Sequence, residues 1–161
     1  MIRPATIEDL PSLVEIETEV FPLDRISRRS FRHLLTRANA VSLVDEEEHG
    51  LCGYVTVLFR HGSPIARLYS IAVHPRCRGC GRGDALLAAA ERASRERRCA
   101  CLRLEVHPGN VLARRFYVRA GYHEFGMFRQ FYEDGSDAIR MEKHLACHPE
   151  PKSALPGKGS S

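Results

Sequence analysis

Between residues 68 and 97 an apolar stretch, Leu68 to Val73, ends at His74-Pro75, and Arg78-Gly79-Cys80-Gly81-Arg82-Gly83 leads into an alanine-rich segment, Ala85 to Arg97. The first part reads as a strand and the last as a helix, so the chain turns from one into the other through three glycines in five positions. Glycine permits close approach and unusual dihedrals. The helix amino terminus adds N–H groups without intrahelical partners and a partial positive charge, an arrangement suited to a pyrophosphate. Arg76, Arg78 and Arg82 add charge nearby. The spacing alone also fits a plain flexible turn or a dinucleotide-binding loop. The dinucleotide reading is disfavoured, because the preceding strand does not open a repeated strand-helix alternation and no acidic residue suited to ribose binding closes the next strand.

The remaining chain supplies the partners for this unit. Ile2 to Ala5 reads as a short strand, and Thr6 precedes a helix with Leu10, Leu13, Val14 and Ile16 at helical spacing. Pro22 interrupts the pattern, leaving Phe21 to Ile26 as a loop, and Ser27 is placed to cap a second helix carrying Phe31, Leu34 and Leu35. Strands are expected near Val41 to Val44, Leu51 to Phe59 and Ile65 to Val73, with Asp45 to Gly50 and His61 to Pro64 as turns. Cys101 to Val106 alternates as a strand, Val111 to Ala120 is helical, and strands follow near Tyr122 to Phe128 and Ala138 to Leu145. Strands grouped early and strand-helix-strand alternation late imply an α/β class, one layered domain over residues 1–146 with a mixed sheet. The Pro-, Gly- and Ser-containing segment 147–161 is expected to be a disordered tail.

With 161 residues, 43% hydrophobic and 27% charged, the chain is the right size for one domain with a sizeable core. No apolar run approaches the roughly 20 residues needed to cross a bilayer, so the expectation is a cytoplasmic protein without a membrane partner. The net charge of +4 suits a polyphosphate ligand as well as nucleic acid, and without Trp or a basic-aromatic pattern no nucleic-acid partner is expected. Cys77-x-x-Cys80 and Cys99-x-Cys101 invite a zinc or disulfide reading. The first pair lies in a glycine-rich turn and the second enters an apolar strand, so the cysteines are expected to be structural or incidental, with no metal.

Leu68-Tyr-Ser-Ile-Ala-Val-His-Pro75 followed by Arg78-x-x-Gly81-x-Gly83 resembles the coenzyme-binding motif of the GNAT superfamily of N-acyltransferases. Leu104-Glu105-Val106, Asn110, Ala113, Phe116-Tyr117 and Ala120-Gly121-Tyr122 resemble its next motif. Element order agrees from residue 1 to about 145, which implies a GNAT-like single domain whose mixed, mostly antiparallel central sheet is flanked by helices. Within the superfamily the chain is most similar to the ribosomal-protein alanine N-acetyltransferases. Two departures stand out: Arg82 occupies a usually apolar position, and Asp84 puts a negative charge beside the expected pyrophosphate.

The resemblance implies acetyl-coenzyme A as cosubstrate, held by the backbone of Ile71, Ala72 and Val73, by Arg78, Gly79, Cys80, Gly81, Arg82 and Gly83, and by Asn110 and Tyr117. An oxyanion donor would be a backbone amide near Ala72 or Val73. Tyr117 follows Asn110 by seven residues, two helical turns, so the two share nearly one face. The resemblance makes Tyr117 the acid toward the leaving thiolate and Glu105 the base toward the amine, with His74 and His107 as competitors. Phe131 and Tyr132 are expected to line the acceptor groove. An α-amine has a reference pKa near 8 and a lysine near 10.4, so freeing lysine costs roughly 3 kcal/mol more at neutral pH. A single carboxylate base therefore favours a peptide or protein amino terminus, with small amines, or a non-catalytic coenzyme-binding module, as alternatives. Monomer and homodimer both remain open.

Overall fold

The computed structural model describes residues 1–145; the expected tail at 147–161 lies outside the described residues. The elements are β1 (Ile2–Pro4), α1 (Leu10–Val20), α2 (Arg28–Thr36), β2 (Ala40–Glu47), β3 (Gly50–Leu58), β4 (Ile65–Val73), α3 (Arg82–Glu96), β5 (Cys101–Val106), α4 (Val111–Arg119), β6 (His123–Phe128) and β7 (Ala138–His144). The strands form one sheet in the order β1-β2-β3-β4-β5-β7-β6. Every neighbouring pair is antiparallel except β4 and β5, which α3 connects. No helix among the described residues is long and apolar enough to cross a membrane.

Alternation along the central strands divides the core. Val55, Val57, Leu68, Leu102 and Leu104 pack with Leu86, Leu87 and Ala90 of α3 and Tyr117 of α4. Val44, Tyr54 and Ala72 pack instead with Leu10, Leu13 and Ile16 of α1 and Phe31 of α2. Adjacent Tyr54 and Val55 thus belong to different clusters, as a pleat requires. Each fully buried leucine contributes roughly 1.5–3 kcal/mol. Ser27 caps α2 by accepting the Ser30 N–H at 3.1 Å, as its position predicts.

Two boundaries differ from expectation. The segment Asp45 to Glu47 continues β2 through a bulge instead of turning, because Arg82 and the Met1 amine hold the Asp45 and Glu47 side chains. Helix α3 begins at Arg82, three residues early, because Gly81 takes a left-handed conformation (φ 74°) that turns the chain directly into it. The cysteine pairing also differs: Cys77 is joined by a disulfide to Cys52 of β3, not to Cys80. The two meet because His74, just past β4, donates its N–H to the Cys52 carbonyl at 2.7 Å and brings the Pro75–Cys77 turn over β3. Cys99 and Cys101 are free and buried, as expected of small strand-side residues.

Candidate active site

The site begins where the sheet opens. β4 and β5 pair only at Ile65 with Cys101, Ala66 with Leu102 and Arg67 with Arg103, although β4 runs on to Val73 and β5 to Val106. Beyond that point the β5-facing edge of β4, including Ile71, Ala72 and Val73, makes no strand pair among the described residues, leaving backbone groups free to meet a ligand.

At the mouth of this opening lies the glycine loop. Gly79 (φ 87°) and Gly81 (φ 74°) both adopt left-handed conformations, and a Cβ on either would meet nothing within 4 Å. Their requirement is therefore conformational, and the space above them is open. A groove of about 360 Å³ runs over Val73, Cys77, Arg78, Gly79 and Gly81 to Phe116 and Arg119. Gly53, which the sequence reading does not single out, is needed for another reason. A Cβ there would lie 2.7 Å from the Ala72 carbonyl and 2.9 Å from Leu86, so only glycine lets α3 close on β3 and β4. The sequence does not mark this requirement, since a strand glycine by itself suggests several causes.

The arginines near the loop are more committed than their positions suggest. The Arg82 guanidinium is bound by Asp45 at 2.9 Å and Glu47 at 2.8 Å, so its backbone rather than its charge serves the loop. Arg78 Nε donates to the Val73 carbonyl at 3.3 Å and Arg76 to the Leu51 carbonyl at 3.0 Å. The charge of Asp84 is met by Arg119 at 3.5 Å, which offsets the repulsion expected toward a phosphate. A larger cavity of about 480 Å³, lined by Val111, Arg114, Arg115, Val118, Arg119 and Glu124, lies along α4 away from the reacting groups and shares Arg119 with the groove.

Tyr132, in the loop joining β6 to β7, lies within electrostatic reach of two other expected residues, Glu105 on β5 and Tyr117 on α4. Glu105 is 7% exposed at its side chain, and its Oε1 accepts from Arg67 Nε at 2.8 Å and pairs with Arg67 Nη2 at 2.7 Å. The strand pattern alone makes it solvated; the neighbouring Arg67, across the one parallel pairing, buries and orients it. Burial pushes the Tyr132 hydroxyl up to about 12, helped by the charges of Glu105 and Asp24 and opposed by Arg67. Tyr117 is also raised well above the ordinary tyrosine value, by burial first and by Tyr132 second. Tyr117 itself is fixed by edge contacts to Phe116 and Tyr122.

Asn110 caps α4, its Oδ1 accepting from the Ala113 N–H at 3.1 Å, which leaves its amide nitrogen for another partner. The competing histidines hold their own turns. His74 Nδ1 accepts from the Arg76 N–H at 3.2 Å with its side chain only 12% exposed, and His107 Nδ1 accepts from the Gly109 N–H at 3.0 Å. Phe131 is 40% exposed and packs edge-on to Tyr132. The loop between α1 and α2 completes this side: the Asp24 N–H donates to Glu133 at 2.7 Å and the Glu133 N–H to Asp24 at 3.0 Å. The sequence marks neither half of that clasp, because the partners lie 109 residues apart.

Comparison with known proteins agrees with this architecture. The model of the Acetyltransferase (GNAT) family matches residues 10–122. An uncharacterized N-acetyltransferase of Methanocaldococcus jannaschii is 36% identical over 146 residues, covering 89% of this chain and 90% of that protein. An N-alpha-acetyltransferase of Sulfurisphaera tokodaii is 29% identical, covering 89% and 92%. The crystal structure of the ribosomal-protein-S18-alanine N-acetyltransferase from Escherichia coli superposes with a TM-score of 0.81 at 25% identity, over 94% of this chain and 97% of that one. The opened sheet, the glycine turn into α3 and the family match lead to one conclusion: the chain belongs to the GNAT acetyltransferase family and is an acetyltransferase enzyme.

Proposed function

We propose that the chain moves an acetyl group from acetyl-coenzyme A directly to the α-amine of a peptide or protein, within a ternary complex. The observation carrying this reading is the juxtaposition of Glu105, Tyr132 and Tyr117 beside the point where β4 and β5 part. The loop fits the coenzyme: open space over two left-handed glycines, the amides at the start of a 15-residue helix, and the free edge of β4 match a pyrophosphate with an extended amide-bearing arm. When bound, the coenzyme supplies a thioester whose carbonyl carbon accepts the amine and whose sulfur departs as a thiolate.

The residues then divide the proton transfers. Glu105, held through Oε1 by Arg67, offers Oε2 to take the proton of the incoming ammonium, directly or through a water. Tyr117, protonated at neutral pH and held more firmly so by burial, gives its hydroxyl proton to the departing sulfur, and the second proton that the nitrogen loses after attack restores it through solvent. A backbone N–H near Ala72 or Val73 stabilises the developing oxyanion. The acceptor side favours a peptide: exposed Leu23, Phe128 and Phe131 frame it, on segments that the Asp24–Glu133 clasp ties together.

Intact-mass measurement with acetyl-coenzyme A tests the reading. The account expects one acetyl group on peptides with a free α-amine and none on α-blocked peptides whose only amine is lysine. Transfer confined to free amino acids or polyamines would replace the substrate class. Coenzyme binding without transfer to any amine would leave a non-catalytic module.

A further inference from the structure

The opposite end of β5 and β7 from the reacting groups carries a second cluster. Strand pairing sets His123 of β6 across from Glu142 of β7, and His144 lies two residues on, on the same side of the sheet. His123 Nε2 and His144 Nε2 stand 3.6 and 3.7 Å from one oxygen, Glu142 Oε2. All three candidate ligand atoms lie within 4.8 Å of one another, and the two rings are stacked with centroids 6.1 Å apart. The other carboxylate oxygen is held from behind: Oε1 accepts from Arg103 Nε at 2.9 Å and from Cys101 Sγ at 3.4 Å. Glu142 is nearly buried while both imidazoles are open to solvent.

These separations are too long for hydrogen bonds. They are close to what a metal needs. With metal–ligand distances near 2.0–2.2 Å, the edges of a tetrahedron are about 3.3–3.5 Å. The two imidazole-to-carboxylate separations therefore need to close by only a few tenths of an ångström, and the imidazole-to-imidazole edge, within 4.8 Å, by at most about 1.5 Å, which two exposed rings can supply by side-chain rotation.

We propose that His123, Glu142 and His144 bind a divalent transition ion of the zinc class, with water at the fourth position. Two imidazoles and one carboxylate suit Zn²⁺, Co²⁺, Ni²⁺ or Cu²⁺ and do not suit Mg²⁺ or Ca²⁺, which prefer all-oxygen sites. Arg103 has the outer role of orienting the ligating carboxylate. None of the cysteines considered in the sequence is a ligand. The ion would clamp β6 to β7 at the open end of their hairpin, remote from the connecting loop that carries Phe131 and Tyr132.

The test uses the full chain, stripped with chelator, freed of it and titrated under reducing conditions with Zn²⁺, Co²⁺ and, as a control, Mg²⁺. The expected result is one saturable equivalent of Zn²⁺, no Mg²⁺ binding, and Co²⁺ absorption without a thiolate charge-transfer band. His123→Ala and His144→Ala should each weaken Zn²⁺ binding at least tenfold while circular dichroism remains unchanged, since both side chains are exposed. Absence of a saturable equivalent, an equivalent that survives both substitutions, or a thiolate band would each overturn the proposal.

Discussion

The proposed coenzyme side and the proposed acceptor side of this enzyme are built by opposite means. The first is a single stretch of chain, β4 through the start of α3, whose chemistry resides in backbone amides and in the conformations of Gly79 and Gly81. The second is assembled from side chains on four separate segments: Asp24 between α1 and α2, Glu105 on β5, Tyr117 on α4, and Phe131 to Glu133 between β6 and β7. A backbone-built site is recognisable as a contiguous motif and tolerates side-chain change. A side-chain-built site depends on the tertiary structure and can be retuned residue by residue.

The most severe way to break the comparison is Gly81→Val. A β-branched residue at φ 74° is strained whatever space surrounds it, at a cost of roughly 1–3 kcal/mol, and the loop can relieve that strain only by moving its amides. Coenzyme binding, read as a shift in melting temperature, should vanish. Gly83→Ala should retain it, because its Cβ would make ordinary contact with Phe116 at 3.5 Å. Equal losses in both variants would mean that side-chain volume, not backbone shape, sets the coenzyme side.

Glu105→Gln comes next. It keeps size while removing the proton acceptor, so turnover with a verified peptide should fall roughly 10²–10⁴-fold with the coenzyme-induced melting shift intact. A loss under about threefold would shift the base to His74 or His107, each to be substituted in turn.

A smaller effect is expected from Glu133→Ala, which opens the clasp to Asp24 without touching a reacting group. Losing the exposed hydrogen bond that the Glu133 carboxylate accepts, worth about 1 kcal/mol, while the backbone N–H at 133 still donates to Asp24, should raise the peptide KM roughly fivefold at unchanged coenzyme affinity. A matching loss of coenzyme affinity would show that the two sides are not independent.

These predictions also mark what was legible. Element order, the Ser27 cap and the glycine loop each follow from residues near one another in sequence, where propensity and capping decide. The lengthening of β2, the Cys52–Cys77 bond and the requirement for Gly53 do not, because each depends on a surface brought up by another element. At the site, Glu105 and Tyr117, the proposed base and acid, are singled out by motif resemblance. Arg67 and the Asp24–Glu133 clasp were not, since nothing in the separate segments records that they meet.

The smallest effect concerns stability. Glu17 is buried against Tyr54 and the Ile26 N–H, and burial raises its pKa against those hydrogen bonds. The folded state therefore holds this proton more tightly than the unfolded chain does. Its contribution is fully present below the unfolded value, about 4.3, and is lost as pH rises through the folded value. Glu17→Gln should lack that slope in melting measurements across the acid range. Parallel pH profiles would show that the carboxyl titrates alike in both states.

The proposal that side chains of the acceptor side carry out the proton transfers, while the backbone-built side holds the coenzyme and its oxyanion, is tested most directly by Tyr117→Phe, measured for peptide turnover and coenzyme affinity in the same preparation. The account predicts turnover lowered roughly 10²–10⁴-fold with coenzyme affinity unchanged, and wild-type turnover sustained through pH 10, where an ordinary tyrosine would be half ionised, because burial keeps this hydroxyl protonated. Turnover within about threefold of wild type, or a loss matched by coenzyme affinity, would contradict it.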